Sequence, residues 1–222
     1  MDWSWEPGGD GPLNMGRDLE VLASAEAGRP AGRLYDWSAP WVTLGRFQRP
    51  ERALLPGAPT PWIMRTTGGK AVLHGHDLTL GFALPLAPLG LQERRLTAVY
   101  RAVITPLIEA LVASGRPAAL GETTPFVRSG GHTADCFAHV APNDVVDPAT
   151  GAKVCGVALR VTSEAVLVQA SLPVRAPAID PAEVFAAPWI PGSLVAVDPE
   201  RLRIELERAF ARIALGSPRV NL

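Results

Sequence analysis

GAKVCGVALRVTSEAVLVQASLPV, residues 151–174, contains two valine-rich apolar runs separated by a short polar turn. Runs of this composition, bounded by turn residues, predict strands over 153–162 and 165–174. The preceding DPATG segment, 147–151, has the composition of a turn. It predicts a hairpin in which a strand over 143–147 pairs with the strand over 153–162. This part of the chain therefore indicates an antiparallel sheet.

The rest of the chain supplies further strands and several helices. Asn14 is a good N-cap for a helix over 13–27, and Pro106 predicts a kink or break in a long helix over 91–114. Further predicted strands cover residues 33–37, 41–47, 62–66, 71–74, 77–86 and 136–140, and closing helices cover 180–187 and 199–215. We expect an α+β fold in which helices pack on a largely antiparallel mixed sheet.

Composition and charge exclude several classes of protein. The chain has 222 residues, enough for one well-cored domain, with 47% hydrophobic and 19% charged residues. A net charge of −1 and the lack of a basic tract argue against nucleic acid or a membrane as a partner. The N-terminal residues lack a basic start and an apolar core, so we expect no secretory signal. Two cysteines are too few for a disulfide framework, so we expect a cytoplasmic protein with reduced thiols.

RTTGGKAVLHGHDLT, residues 65–79, is the most unusual stretch. The Gly68-Gly69 pair has no Cβ atoms, so its backbone amides can approach a ligand closely. Arg65, Lys70 and His74 place three basic groups around the pair, which suggests a ligand with an acyl or phosphate group. A glycine hairpin turn flanked by solvated cations is the alternative.

Lysine is rare in this chain: Lys70 and Lys153 are the only two among 21 basic residues that are not arginine. A lysine is a compact point charge that can lose its proton when buried, whereas an arginine is a planar fork that stays charged. Two lysines retained by chance, or retained for their chemistry, are both compatible with the count.

The two cysteines have different surroundings. Cys155 lies within an apolar strand, where cysteine is usually a small hydrophobic residue. Cys136 follows the Gly-, Pro- and Thr-rich segment 116–134, which predicts a long mobile loop, and is the candidate for an exposed, reactive thiol. There is no CxxC or HExxH spacing, so no metal site is expected.

These motifs occur together in one order, and in that order the chain resembles the catalytic domain shared by lipoate-protein ligases, octanoyltransferases and biotin-protein ligases. The similar segments are NMGRDLEVL (14–22), RLYDWSAPWVTLGRFQ (33–48), RTTGGKAVLHGHDLT (65–79), CFAHVAPNDVV (136–146) and GAKVCGVALR (151–160). The RxTGGxAVLH string and the Cys-Phe pair resemble the octanoyltransferases that use a cysteine. The resemblance implies that 1–222 is a single catalytic domain of this type.

The resemblance also implies roles for individual residues. Cys136 would be the nucleophile, and Lys153, in the GxKxxG strand, would reach the acyl group. A lysine beside a thiol favours the thiolate and stabilises a developing oxyanion. The substrate pocket would be lined by Arg65, Gly68, Gly69, Lys70, Ala71, His74, Gly156, Val157 and Ala158.

The implied reaction needs no cofactor. Octanoyl-acyl carrier protein would be the donor, and a lysine of a lipoyl domain or glycine-cleavage carrier protein would be the acceptor. An ATP-dependent lipoate ligase with a separate accessory domain, and a non-catalytic relative that binds the acyl group or carrier protein, are the alternatives. The chain departs from the family in three places: QAS (169–171) replaces QHGS, His74 and Asp77 are separated, and GVAL (156–159) replaces GSAQ.

Overall fold

The computed structural model describes residues 1–91, 95–126, 142–188, 192–194 and 196–214, with side chains up to residue 212. The strands are β1 (Asp2–Gly9), β2 (Ala31–Trp37), β3 (Val42–Leu44), β4 (Trp62–Met64), β5 (Val72–Leu73), β6 (Asp77–Pro85), β7 (Ala119–Leu120), β8 (Val145–Val146), β9 (Lys153–Val161) and β10 (Ala165–Pro173). The α-helices are α1 (Gly11–Glu26), α2 (Pro50–Ala53), α3 (Leu96–Ala113) and α4 (Pro199–Ala214). Short 3-10 helices occupy Ala87–Leu89, Gly121–Thr123 and Pro181–Glu183.

Seven strands form one sheet in the order β1-β2-β6-β10-β9-β8-β7. The edge pair β1 and β2 is parallel, whereas the other neighbours are antiparallel. A smaller sheet has the order β4-β3-β5, with β3 parallel to β4 and antiparallel to β5. The predicted α+β class with a largely antiparallel mixed sheet is confirmed. Pairing of β8 with β9 also confirms the predicted hairpin around 147–151.

The first helix begins earlier than the sequence indicates, because its N-cap is Asp10 rather than Asn14. The Asp10 carboxylate accepts a hydrogen bond from the Leu13 amide at 2.9 Å, as N-cap side chains do. Pro12 fits the first turn, where its missing N–H removes no helical bond. Asn14 is buried inside the helix, and its side-chain oxygen accepts from Arg33 Nη2 at 3.0 Å. The prediction of Asn14 as the cap is therefore wrong.

Several predicted strands are shorter or differently placed. β1 lies outside every predicted element, since Pro7 and two following glycines obscure the alternation of Trp3 and Trp5. The strand predicted over 41–47 is only three residues long and belongs to the small sheet, so it does not continue the sheet of its neighbour over 33–37.

The helical predictions and the loop prediction need similar corrections. The predicted helix over 180–187 contains only the 3-10 turn Pro181–Glu183, and the helix predicted to start at residue 91 starts at Leu96. That helix runs through Pro106 without a break. The first part of 116–134 is not a structureless loop, since it contains β7 and a 3-10 turn. The predicted strand over 136–140 lies outside the described residues.

Alternation along the central strands gives the large sheet two different faces. On one face, Leu78, Leu80, Phe82 and Leu84 of β6 lie in the main core together with side chains of α3 and α4. The Phe82 ring packs against Trp3 and Phe210, with ring centroids 5.3 and 5.0 Å apart. On the other face, the intervening positions of β2, β6 and β10 carry buried polar side chains: Arg33, Tyr35, Asp77, Thr79, Gln169 and Ser171.

Helix α3 is the one helix, among the described residues, that is long and apolar enough to cross a bilayer by length and composition alone. Its side chains Val99, Val103 and Leu107 are fully buried and belong to the main core. A core helix of this kind passes the same test as a membrane span, so the finding is weak evidence for a span.

Candidate active site

A pocket lies between the polar face of the large sheet and the small sheet. Side chains of α1, β2, β3, β6, β9 and β10 meet there, together with the segment between β4 and β6. The lining residues are Met15, Tyr35, Trp37, Thr43, Arg65, Val72, His74, Thr79, Gly156, Val157, Ala158, Gln169, Ala170 and Ser171. Five residues of the expected site are therefore among them: Arg65, His74, Gly156, Val157 and Ala158.

Arg65 supports the Gly-Gly loop from inside. Its side chain is buried, and Nη2 donates to the backbone oxygens of Gly68 and Lys70, both at 2.6 Å. Gly69 has φ +85°, and a Cβ there would lie 2.9 Å from Arg65 Nη2. Glycine is thus favoured both by the backbone conformation and by the close guanidinium. These bonds direct part of the arginine's charge to the carbonyls of its own loop.

The other expected residues of this segment lie around the pocket rather than on its wall. The Gly68 amide donates to the Leu159 carbonyl at 3.3 Å and so ties the loop to β9. Lys70 is half-buried in the same loop. Ala71 is fully buried in a separate cluster with Val42 and Leu44, behind the small sheet.

His74 and Asp77 form a buried pair on the pocket wall. Although two residues separate them in sequence, His74 Nδ1 lies 2.7 Å from Asp77 Oδ2. Ser171 and Thr79 donate to the same oxygen at 2.6 and 3.0 Å. Burial alone would raise the pKa of Asp77, but the adjacent His74 and the hydrogen bonds from His74 and Ser171 outweigh it and lower the pKa to about 2. Asp77 is therefore ionised at neutral pH and accepts a hydrogen bond from the Nδ1–H group of His74.

Thr43 lies between Arg65 and His74 and completes this arrangement. Its hydroxyl oxygen accepts from Arg65 Nη1 at 3.2 Å and lies 2.9 Å from His74 Nε2. The Thr43 hydroxyl therefore lies within hydrogen-bonding distance of the second ring nitrogen, while Asp77 holds the first. Trp37 stacks on the ring, with centroids 4.1 Å apart and planes inclined by 18°. The orientation of the ring is thus fixed by contacts at both nitrogens and by stacking on one face.

Lys153 lies at the start of β9 and is 5% exposed. Its Nζ pairs with Asp144 Oδ1 at 2.7 Å. Three residues further along β9, Gly156 begins the part of the strand that lines the pocket. Lys153 itself is not among the residues that line the pocket. A buried ammonium needs such a carboxylate, because burying a lone charge is unfavourable.

The two cysteines differ in what the structure describes of them. Cys155 is fully buried in the main core, which confirms the prediction that it is a packed strand residue. Cys136, the expected nucleophile, lies outside the described residues.

Sequence reasoning missed much of the pocket wall. Tyr35, Thr43, Gln169 and Ser171 are all buried and line the pocket. The signal that could have found them is polar residues at alternate positions of otherwise apolar strands, as in LVQASL at 167–172. Among the described residues, no group of three or more His, Cys, Asp and Glu side chains could hold a metal ion.

Lipoate-protein ligases of known structure share this fold of a mixed sheet flanked by helices. A bi-partite lipoate protein ligase from Thermoplasma acidophilum superimposes with a TM-score of 0.71 at 18% identity, covering 99% of this chain and 86% of that one. A lipoate-protein ligase A bound with ATP gives a TM-score of 0.72 at 19% identity, covering 100% and 89%.

The chain belongs to the lipoyl protein ligase A/B catalytic domain family, whose model matches residues 10–185. Its relatives include proteins named octanoyltransferase LipM. That of Kyrpidia tusciae is 26% identical over 217 residues, 94% of this chain and 74% of the relative. That of Exiguobacterium sp. is 41% identical over 61 residues, which span 26% of this chain and 22% of the relative. The family expected from the sequence is therefore confirmed.

Proposed function

We propose that this protein is an acyltransferase that moves an octanoyl group, or a lipoyl-type group, from acyl carrier protein to a lysine of a lipoyl domain or glycine-cleavage carrier protein. The family and the names of its relatives support acyl transfer. The observation that carries the proposal is the buried Lys153–Asp144 pair, at 2.7 Å, on the strand that continues into the pocket wall. This pair supports the proposal because it holds an ammonium at the start of the strand whose later part, from Gly156, lines the pocket.

The first half-reaction would acylate the enzyme. The Cys136 thiolate attacks the thioester carbonyl carbon of the donor, a new C–S bond forms, and the C–S bond to the carrier breaks. The departing carrier thiolate takes up a proton. The Lys153 ammonium favours the cysteine thiolate and stabilises the developing oxyanion.

The second half-reaction would release the product. The amine of the acceptor lysine attacks the acyl-enzyme carbonyl, a C–N bond forms, the C–S bond to Cys136 breaks, and the amine loses a proton. The chemistry is ping-pong and consumes no nucleotide. We propose that His74, fixed by Asp77 and Trp37, lies near the acyl carbonyl, and that 1–222 acts as one cytoplasmic catalytic domain.

The direct test is intact-protein mass spectrometry after incubation with octanoyl-acyl carrier protein in the absence of ATP. We expect a mass increase of one octanoyl group on the parent and none on Cys136→Ser, followed by transfer to an added lipoyl domain. Cys155→Ser is the matched control, and it should be acylated like the parent. Activity that appears only with free lipoate and ATP would favour the ligase instead. Acyl-group or carrier binding with no transfer would favour the non-catalytic relative.

Replacing Lys153 with arginine tests the role of the ammonium. Lys153→Arg keeps the charge but substitutes a broad fork in a 5% exposed site. We expect acylation of Cys136 to slow by two to three decades, roughly 2.7 to 4 kcal/mol of transition-state stabilisation. Lys70→Arg is the control, since it makes the same exchange in the half-buried loop. Equal rates for parent and a folded Lys153→Arg protein would remove Lys153 from the mechanism.

A further inference from the structure

Asp18 is a fully buried carboxylate on α1, directly behind the pocket wall. It accepts hydrogen bonds from Arg33 Nη1 at 2.8 Å, from the Tyr35 hydroxyl at 2.9 Å and from Gln169 Nε2 at 2.5 Å. Tyr35 and Gln169 both line the pocket. The mechanism described above gives Asp18 no task, although burying a carboxylate here carries a desolvation penalty.

The fold makes room for this carboxylate. Gly81 of β6 lies beneath it, and a Cβ at that position would collide with the Asp18 carboxylate. Burial raises the pKa of Asp18, while the Arg33 charge and the three hydrogen bonds oppose that effect. Burial also raises the pKa of Tyr35, with Asp18 adding to it, so the phenol keeps its proton and donates it.

The direction of these bonds fixes the side-chain amide of Gln169. Because its NH2 group faces Asp18, its carbonyl oxygen faces Thr67, whose hydroxyl donates to it at 2.6 Å. The Thr67 oxygen in turn accepts from Arg65 Nε at 3.1 Å. Arg65 is the residue that supports the Gly-Gly loop. A chain of oriented hydrogen bonds therefore runs from Asp18 through Gln169, Thr67 and Arg65 to the Gly-Gly loop. Its first bond joins residues that are 151 positions apart in sequence.

The consequence concerns the chemistry of the pocket surface. Both polar ends of the Gln169 amide and the proton of the Tyr35 hydroxyl are already engaged by protein partners. No buried polar side-chain atom of the lining residues lacks a partner within the described part of the chain. A wall built from polar residues is in this way made suitable for hydrocarbon, since hydrogen bonds to its polar groups are already made.

We propose that Asp18 is a positioning residue that makes the pocket selective for apolar acyl chains, by holding the polar atoms of Tyr35 and Gln169 away from the substrate. The inference rests on the proposed function, which supplies the acyl ligand.

The test uses Asp18→Asn in the full chain. An asparagine can accept from Arg33 with its oxygen, but its NH2 group then meets the donors of Tyr35 and Gln169, which lose their acceptor. The dissociation constants of octanoate and 8-hydroxyoctanoate are measured by calorimetry. The parent should bind octanoate more tightly than 8-hydroxyoctanoate. In Asp18→Asn the ratio of the two dissociation constants should move roughly tenfold toward 8-hydroxyoctanoate, because polar groups are then free to face the pocket.

Glu6→Gln is the matched control. Glu6 pairs with the same arginine, at 2.9 Å from Arg33 Nε, but contacts neither Tyr35 nor Gln169 through any described bond. It should leave the ratio of the two dissociation constants unchanged. An unchanged ratio in folded Asp18→Asn, or an equal change in Glu6→Gln, would overturn the positioning role.

Gln169→Leu keeps the inference testable if Asp18→Asn does not fold. With the amide already directed away from the chain, leucine should leave the octanoate preference within about threefold of the parent. A tenfold or larger rise in the preference for octanoate would mean that the Gln169 amide contacts the ligand in the parent, and it would overturn the inference. Binding of octanoate without acylation of Cys136 would instead defeat only the transfer reaction, whereas a parent that binds no octanoate would overturn both.

Discussion

The two faces of the large sheet are built from the same three strands and do opposite things. On the face toward α3 and α4, β6 contributes leucines and Phe82 to the main core. On the face toward α1, the same strand contributes Asp77 and Thr79 to a buried hydrogen-bonded network. The first face stabilises the fold by burying apolar area. The second face buries charged groups away from water and keeps them paired. Buried pairs of this kind contribute little net stability, so we attribute them to the chemistry of the pocket.

The largest expected effect is on the apolar face. Phe82→Ala removes a fully buried ring that packs on Trp3 and Phe210. We expect the free energy of unfolding to fall by about 3 to 5 kcal/mol, measured by chemical denaturation. Because Phe82 points away from the pocket, the acylation rate per folded molecule should stay close to that of the parent. A large loss of rate in folded protein would show that the two faces are not separable.

Leu96→Ala is the control for that substitution. Its side chain is 60% exposed at the start of α3, so truncation should change the free energy of unfolding by no more than about 0.5 kcal/mol.

The polar face should respond to pH. The pKa of Asp77 is lowered to about 2 in the folded protein, below its usual value near 4 in an unfolded chain. Asp77 therefore stabilises the fold above about pH 4, and that contribution is lost as the pH falls toward 2. It amounts to about 2 to 3 kcal/mol. Asp77→Asn should show a correspondingly flatter dependence of unfolding free energy between pH 5 and 2. Parallel curves for the two proteins would contradict the assignment.

The smallest expected effect is at the loop that the polar face supports. Gly69→Ala forces a Cβ into a residue with φ +85° and to within 2.9 Å of Arg65. We expect a loss of about 1 to 2 kcal/mol in unfolding free energy, together with slower acylation of Cys136. Gly57→Ala is the control, because Gly57 has φ +76° but open space around it. Gly57→Ala should lower the unfolding free energy by a similar amount but leave the acylation rate unchanged. Equal acylation rates for Gly69→Ala and Gly57→Ala would exclude a role for the loop geometry.

The sequence predicts the apolar face better than the polar one. The apolar residues in 77–86 and the valine-rich run in 165–174 are enough to predict both central strands, because this pattern is local in sequence. The edge strand β1 is not predictable in this way, since its pairing depends on β2 after an intervening helix.

The site shows the same limit. Arg65 and His74 can be predicted from the sequence because both lie in one compact motif, and both line the pocket. Gln169 and Asp18 belong to motifs 151 residues apart, and nothing local to either predicts that they meet. The separation of His74 from Asp77 is a departure from the family in sequence, yet the two side chains form a hydrogen bond of 2.7 Å. Each of these contacts depends on the tertiary fold, which the local sequence does not reveal.

The long sequence separations across the polar face also set an order of assembly. β1, α1 and β2 can associate from the first 37 residues, but Asp18 and Asp77 find partners on β10, 151 and 94 residues away. Contacts of such separation form late, because the closing of a long loop must precede them. During refolding from denaturant, helical structure should return before octanoate binding does. A nascent chain that ends before residue 169 would lack the hydrogen bonds from Gln169 and Ser171, so both buried carboxylates would have only the partners that precede β10.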